Sequence, residues 1–140
     1  MRVRLPAHGW KPRAKQWPLW NYWVRENGTR AAAVWHRRYG KDDVCLHGTA
    51  VKLHQRVGTY WHMLPEAAQA RKAIWNAVNP RTGMRRIDEA FPPELRANTN
   101  DTEMFIRFEN GSTWQVVGSD NFNSLVGSPP IGVVMSEWSL

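Results

Sequence analysis

The sequence has a single cysteine, Cys45, among its 140 residues. An internal disulfide and any multi-cysteine metal site are therefore excluded, and the cysteine usage fits a reducing compartment. Its histidines (His8, His36, His47, His54 and His62) contain no H-x-x-x-H pair and have no cysteine partners, so no zinc site is expected. No apolar run approaches the roughly 20 residues of a membrane-spanning helix. The basic N-terminus is not followed by the apolar stretch of a signal peptide. Acidic residues are scarce in the first part of the chain. Through Lys41, ten basic side chains stand against Glu26 alone, a net +9, whereas the remainder holds nine basic and eleven acidic side chains, a net −2. A polyanion is the favoured partner, and nucleotide phosphate and nucleic acid both qualify.

What is present reads as one globular domain with a core of ordinary size. Residues 1–13 show no period and read as an extended arm. Trp17, Trp20 and Val24 lie at offsets of three and seven, with Pro18 in a first helical turn and Asn27-Gly28 as a stop, which predicts a short helix with an aromatic face. The stretch Thr29 to Val57 reads as a strand (Arg30 to Trp35), a basic turn (His36 to Lys41) and an amphipathic helix. In that helix Leu46, Ala50, Leu53 and Val57 form one apolar stripe. Residues 59–64, TYWHML, are a short apolar run of β-formers. Pro65 and Glu66 open a second helix through about Asn76, and residues 77–103 read mainly as a connection with one helical turn from Arg85 to Phe91. From Met104 the period drops to two, and Asn110-Gly111 marks a hairpin turn. A polar loop follows, then a buried strand over Ile131 to Met135. Strands and helices alternating at this spacing predict βαβ crossovers and a mostly parallel sheet.

A strand, a turn closing on Gly40-Lys41 and a helix starting at once aim backbone N–H groups and a positive helix end at an anion. The strict phosphate-loop pattern G-x-x-x-x-G-K-[ST] is not met: Trp35 holds the first glycine's place and Asp42 the place of Ser or Thr. One reading is a plain turn at Gly40 with a solvated Lys41 and a capping Asp42 or Asp43. Against it, His36, Arg37 and Arg38 crowd positive charge before Gly40, which an anion in the turn would relieve, and an aspartate at position 42 still suits Mg²⁺, a hard cation. A second signal stands far along the chain. An apolar strand ending in an acidic pair supplies a metal contact and a base for attack on a γ-phosphate. Here it is Val133-Val134-Met135-Ser136-Glu137, with Ser136 in the aspartate's place.

Taken in order, several segments resemble the large terminase subunit of tailed bacteriophages. They are Trp10-Lys11-Pro12-Arg13-x-x-Gln16, Arg30 through Asp43, Met63-Leu64-Pro65 with Gln69-Ala70-Arg71-Lys72 and Trp75, Gly118-Ser119-Asp120-Asn121 with Ser124-Leu125 and Gly127, and Val134-Met135-Ser136-Glu137. The resemblance spans about Trp10 to Leu140. It implies a P-loop NTPase fold of the RecA-like, additional-strand class, three layers deep, with an inserted β-hairpin. It implies an ATPase that drives double-stranded DNA into a procapsid, working in the host cytoplasm as a ring homo-oligomer with a portal protein and a small terminase subunit, and with ATP and Mg²⁺ as cofactors. Under it, Gln16 would read the adenine. The turn residues His36, Arg37, Arg38, Tyr39 and Gly40 would cradle the phosphates with Lys41, Asp42 and Asp43. Lys41 would hold the β- and γ-phosphates, and Arg37 or Arg38 would sense or stabilise the γ-phosphate. Asp42, Ser136 and Glu137 would form the metal side of the site, and Glu137 would be the catalytic base.

The same residues carry plainer alternatives. Gln16 reads equally as a surface amide, Arg37 and Arg38 as DNA-phosphate contacts, the tryptophans as core or as a stacking platform, and the Gln69–Trp75 helix as packing. The family's ATPase domain continues beyond the position of Glu137 and adds a nuclease domain. The expectation is therefore an N-terminal piece, 1–28 forming an arm with an adenine-side helix and 29–140 an incomplete core, with weak turnover at most. The strand that follows the acidic pair in that fold would lie between the two motif-bearing strands, which then face a gap.

Overall fold

The computed structural model describes residues 5–7, 10–25, 41–119 and 130–135. The strand expected over Arg30–Trp35, the basic turn before Lys41, most of the polar loop after Gly118, and Ser136 and Glu137 lie outside the described residues, as do the side chains of Lys15 and Lys41.

A 3₁₀ turn (Ala14–Gln16) leads into helix α1 (Trp17–Trp20), which widens into a π turn over Asn21–Arg25. Pro18 sits in the first turn, where its missing N–H leaves no bond unmade. Next come α2 (Lys41–Gln55), β1 (Thr59–Leu64), α3 (Ala67–Ala70, continued by a π turn Arg71–Trp75) and α4 (Arg86–Ala90). Four strands complete the chain: β2 (Arg96–Asn100), β3 (Phe105–Phe108), β4 (Thr113–Gly118) and β5 (Gly132–Met135).

The strands form one open sheet in the order β2-β3-β4-β1-β5. β1 is parallel to both β4 and β5, whereas β2–β3 and β3–β4 are antiparallel. The sheet is thus mixed, a correction to the mostly parallel sheet expected. The physical reason is the hairpin. It is not an appendage: its second strand, β4, fills the centre of the sheet beside β1, and it brings two antiparallel partners with it. β2 is the second correction, because Arg96-Ala97-Asn98-Thr99-Asn100 carries almost no β-propensity. It forms as a largely exposed outer strand with a register shift between Arg96 and Asn98, and pairing with β3 supplies what its own sequence does not.

Alternation along β1 decides where the core sits. Tyr60, His62 and Leu64 share one face, in register with Trp114, Val116 and Gly118 of β4. Onto that face pack Leu46, Ala50 and Leu53 of α2, Ala70, Ile74 and Trp75 around α3, and Ile87, Ala90 and Phe91 of α4. Trp61, Met63 and Val117 make a smaller buried cluster on the other face. Being buried on both faces is what an interior strand with parallel neighbours requires.

The stripe expected along α2 holds at Leu46, Ala50 and Leu53 and fails at Val57, which is 59% exposed beyond the helix end. The hairpin turn explains the stop. The Leu53 carbonyl, which would accept the Val57 N–H in a longer helix, accepts instead the Asn110 Nδ2 at 2.9 Å and the buried Ser112 hydroxyl at 2.7 Å. The Tyr60 hydroxyl donates to the Arg56 carbonyl at 2.7 Å. Asn110 can reach because Gly111 takes φ +97°, closing the turn as the Asn-Gly pair predicts. Orphan carbonyls at a helix end are therefore satisfied by side chains from the sheet.

We predict that Ser112→Ala destabilises the fold by about 1–2 kcal/mol, because the Leu53 carbonyl loses the buried one of its two partners, and Asn110→Ala by about 1 kcal/mol. Urea unfolding followed by circular dichroism measures both, and unchanged midpoints would contradict the capping role.

Candidate functional site

Of the residues singled out in sequence, Lys41, Asp42 and Asp43 open α2, a 15-residue helix whose first turn carries both aspartates. Its C-terminal end is closed by the hairpin, and a helix N-terminus carries the partial positive charge that favours an anion. Two layers fix its direction. On the sheet side, α2 runs over β1, with Lys52 and Arg56 at Tyr60 and Asp42 near His62. On the outer side, α1 lies across it: Trp20, Val24 and Val44 form a buried cluster with Trp10, Trp17, Leu19, Trp23 and Val51 around it. Trp10 stacks on His47 at 4.4 Å between ring centroids. A Cβ on Gly48 would meet Trp23 at 2.2 Å, so a glycine is needed there for the two helices to approach. The aromatic helix is core rather than an open stacking platform.

Asp42 and Asp43 are adjacent in sequence and about 100° apart around the helix, and they meet different neighbours. Arg86, the first residue of α4, donates through Nη1 to both carboxylate oxygens of Asp43, at 2.6 Å to Oδ1. Asp42 turns toward β1, where its Oδ1 lies 3.9 Å from His62 Nε2. The Asp42 side chain is 39% exposed and that of His62 is 0% exposed. Burial pushes the His62 imidazole down from 6.5 to about 4, so at neutral pH it carries no charge in the fold.

Gln16 is 2% exposed, which overturns its reading as a plain surface amide. Its Oε1 accepts the Arg13 backbone N–H at 2.8 Å, closing the turn ahead of α1. This bond holds the amide inside the N-terminal segment rather than at the surface. The Gln69–Trp75 segment is structural. Arg71 donates to the carbonyls of Asp101 and Thr102 at 2.9 and 2.8 Å, and Trp75 Nε1 donates to Asp101 Oδ1 at 3.0 Å. Arg96 does similar work from β2, donating to the Phe91 and Ile87 carbonyls and to Asp88.

Topology brings the second signal to the same end of the sheet. β5 pairs parallel with β1, Val134 opposite His62 and Met135 opposite Met63. The strand that precedes Ser136-Glu137 thus ends one register position past the imidazole that meets Asp42. Of the expected site, Asp42, Asp43 and Gln16 are described in full and Lys41 by its backbone, whereas His36, Arg37, Arg38, Tyr39, Gly40, Ser136 and Glu137 lie outside the described residues. Among the described residues no group of three or more His, Cys, Asp or Glu is arranged to hold a metal ion. A single carboxylate at a helix N-terminus does suit Mg²⁺ carried in on phosphate, which keeps most of its ligands as water and phosphate oxygen. Among the described residues, no helix is long and apolar enough to cross a membrane.

His62 and Arg86 are the two participants that no motif announced. A lone histidine inside the apolar run TYWHML was the available signal for the first. The second had none, since the pairing spans 43 residues. Compared with known proteins, the chain matches no protein-family model, no curated protein and no solved structure.

The His62 environment fixes the sign of a pH dependence. The unfolded chain takes up this proton near 6.5 and the folded protein only near 4, so stability is full above about 6.5 and falls as pH drops toward 4. A shift of this size corresponds to roughly 3 kcal/mol. Between pH 7 and 4.5 the wild-type protein is expected to lose roughly 2–3 kcal/mol more stability than His62→Gln. Parallel losses in urea titrations at the two pH values would contradict the assignment.

Proposed function

We infer that this chain is the ATP-binding module of a DNA-packaging motor of the large terminase kind, acting on double-stranded DNA. The observation that supports the reading is topology: the first turn of α2 puts Asp42 3.9 Å from His62 of β1, and β5 runs parallel to β1 and ends with Met135 opposite Met63, toward the same end of the sheet. That is the arrangement a phosphate cradle and a distant base require, and the two sequence signals occur in the order and direction it needs. In this reading the α2 N-terminus and Lys41 hold the phosphates, and Arg37 or Arg38 offsets charge on the terminal phosphate. Asp42 takes the cation side, and Glu137 polarises the attacking water. Mg²⁺ supplies charge neutralisation on the phosphate oxygens when bound. Gln16, buried at the start of α1, would have to be uncovered to meet the base. The portal, the small subunit and a ring of like chains are the partners this role implies.

A second reading rests on the charge distribution. Lys11, Arg13 and Arg25 are exposed on the N-terminal segment, in the part of the chain with net charge +9. A basic module that binds DNA through phosphate contacts, without turnover, would carry the same feature.

One substitution separates the two. A nucleotide site loses binding of a fluorescent ATP analogue on Lys41→Ala, by about tenfold or more, because a charge-assisted phosphate contact is removed. A DNA-binding module keeps its DNA affinity to within a small electrostatic increment and shows no analogue binding in either form. Filter binding with duplex DNA and anisotropy with the analogue, on the same purified chain, decide between them.

A further inference from the structure

The Asn110-Gly111 pair has a chemistry that its capping role leaves unused. An asparagine carboxamide is labile when glycine follows, because no Cβ shields the next backbone nitrogen from it. The sequence holds two such pairs in nearly the same setting, Glu26-Asn27-Gly28-Thr29 and Glu109-Asn110-Gly111-Ser112. The second lies among the described residues, with Asn110 and Gly111 exposed and Ser112 buried at the β3–β4 turn.

The reaction consumes only water. The Gly111 backbone nitrogen attacks Asn110 Cγ, and a new N–C bond forms as the bond from Cγ to Nδ2 breaks. Ammonia leaves, carrying the proton lost from Gly111. Water then opens the cyclic imide at either carbonyl, which restores the Gly111 N–H and leaves aspartate or isoaspartate. The docked turn holds each participant out of place. The leaving Nδ2 donates to the Leu53 carbonyl at 2.9 Å, and Oδ1 accepts the Ser112 backbone N–H at 3.0 Å. The Gly111 N–H that must lose its proton donates to the Phe108 carbonyl at 3.0 Å. A carboxamide bonded at both ends cannot turn its carbon onto the Gly111 nitrogen without giving up a bond. Once those bonds open, little stands in the way: a Cβ on Gly111 would meet only Val57, at 3.6 Å.

We propose that Asn110 is a spontaneous deamidation site, unreactive while its carboxamide caps α2 and converted when the cap opens, so that the conversion releases the end of the helix for good. Aspartate has no donor to give back to Leu53, and it is ionised at neutral pH. The product therefore sets a charged oxygen against the carbonyl that the amide had satisfied. Isoaspartate also lengthens the main chain by one carbon in the turn that sets the register of β3 on β4. Either product leaves the Leu53 carbonyl to Ser112 alone. The inference stands apart from the nucleotide reading, since it needs only the turn and the helix end.

The test incubates the full chain at mildly alkaline pH, folded and in urea, and follows the amide-to-acid mass change in the peptides that carry Asn27 and Asn110. In urea the two asparagines, with matching neighbours, are expected to convert at similar rates. In the folded chain Asn110 is expected to convert roughly tenfold or more slowly than in urea, because only the opened turn reacts. Ser112→Ala, shown to be folded by circular dichroism, is expected to speed Asn110 conversion several-fold. Should that variant not fold, the wild-type chain in urea below its unfolding midpoint takes its place, with the same acceleration expected. Equal rates in the folded chain and in urea overturn the proposal, as does a loosened cap that leaves the rate unchanged.

The consequence for α2 is tested with the product itself. In Asn110→Asp, the backbone amides of the last α2 turn are expected to exchange with deuterated water several-fold faster than in the wild-type chain, while those of α4 keep their rates. Wild-type exchange at the end of α2 in this variant overturns the claim that conversion releases the helix.

Discussion

Everything at the candidate site depends on how the far end of α2 is held. The Leu53 carbonyl accepts Asn110 and Ser112 from the hairpin turn, and the Tyr60 hydroxyl of β1 donates to the Arg56 carbonyl just past the helix. Three side chains, two from the hairpin turn and one from β1, therefore determine where the helix stops, its height above the sheet and its direction. With that end closed by polar bonds, its apolar stripe on the sheet and Trp23 seated on Gly48, the opposite end can project only over the end of β1. An anion site at a helix N-terminus needs such a fixed axis, because its donors are backbone groups with no freedom of their own to adjust.

The first turn then divides its charges between two tasks. Asp43 ties α2 to α4 through Arg86, and Arg96 and Asp88 continue the polar lattice toward β2. Burial lowers the pKa of Arg96 even though Asp88 lies beside it, so the guanidinium is kept charged in a desolvated place by its carboxylate and carbonyl partners. This lattice is what makes the 77–103 region a folded wall of the domain rather than a loose connection. Asp42, one residue before the anchored aspartate, stays half open beside a neutral imidazole.

Much of this was legible in the sequence where local chemistry and tertiary demand agree. The run TYWHML, the Pro18 helix start, the Asn110-Gly111 turn and the Leu46–Ala50–Leu53 stripe each carry a signal that the final structure keeps. The strand over Ile131 to Met135, expected to be buried, is instead the end strand of the described sheet, with Ile131 and Val133 each 42% and Met135 65% exposed; the other failures share one cause, which is that a distant partner overrode the local pattern. Val57 leaves the stripe because the hairpin takes the Leu53 carbonyl. Arg96–Asn100 becomes a strand because β3 accepts it, and the sheet is mixed because β4 enters beside β1 rather than hanging from its edge. At the site, the order Gly40-Lys41 then Ser136-Glu137 could be read as a cradle and a base. The imidazole beneath Asp42 and the guanidinium on Asp43 could not, because both contacts are made only when β1 and α4 come to rest against α2.

The proposed function draws on a helix whose first turn reaches β1, a parallel strand that ends just before Ser136-Glu137 in the sequence, and a strongly basic leading segment. Its central claim is that phosphate binds at the first turn of α2. The most direct measurement is a backbone amide NMR titration of the full chain with Mg²⁺-ATP. The account predicts that the amides of Lys41, Asp42, Asp43 and Val44 shift first and furthest, while those of Asn110, Gly111 and Ser112 at the closed end stay in place. Shifts confined to the basic segment around Lys11 to Arg25, with the α2 amides unmoved, would contradict it.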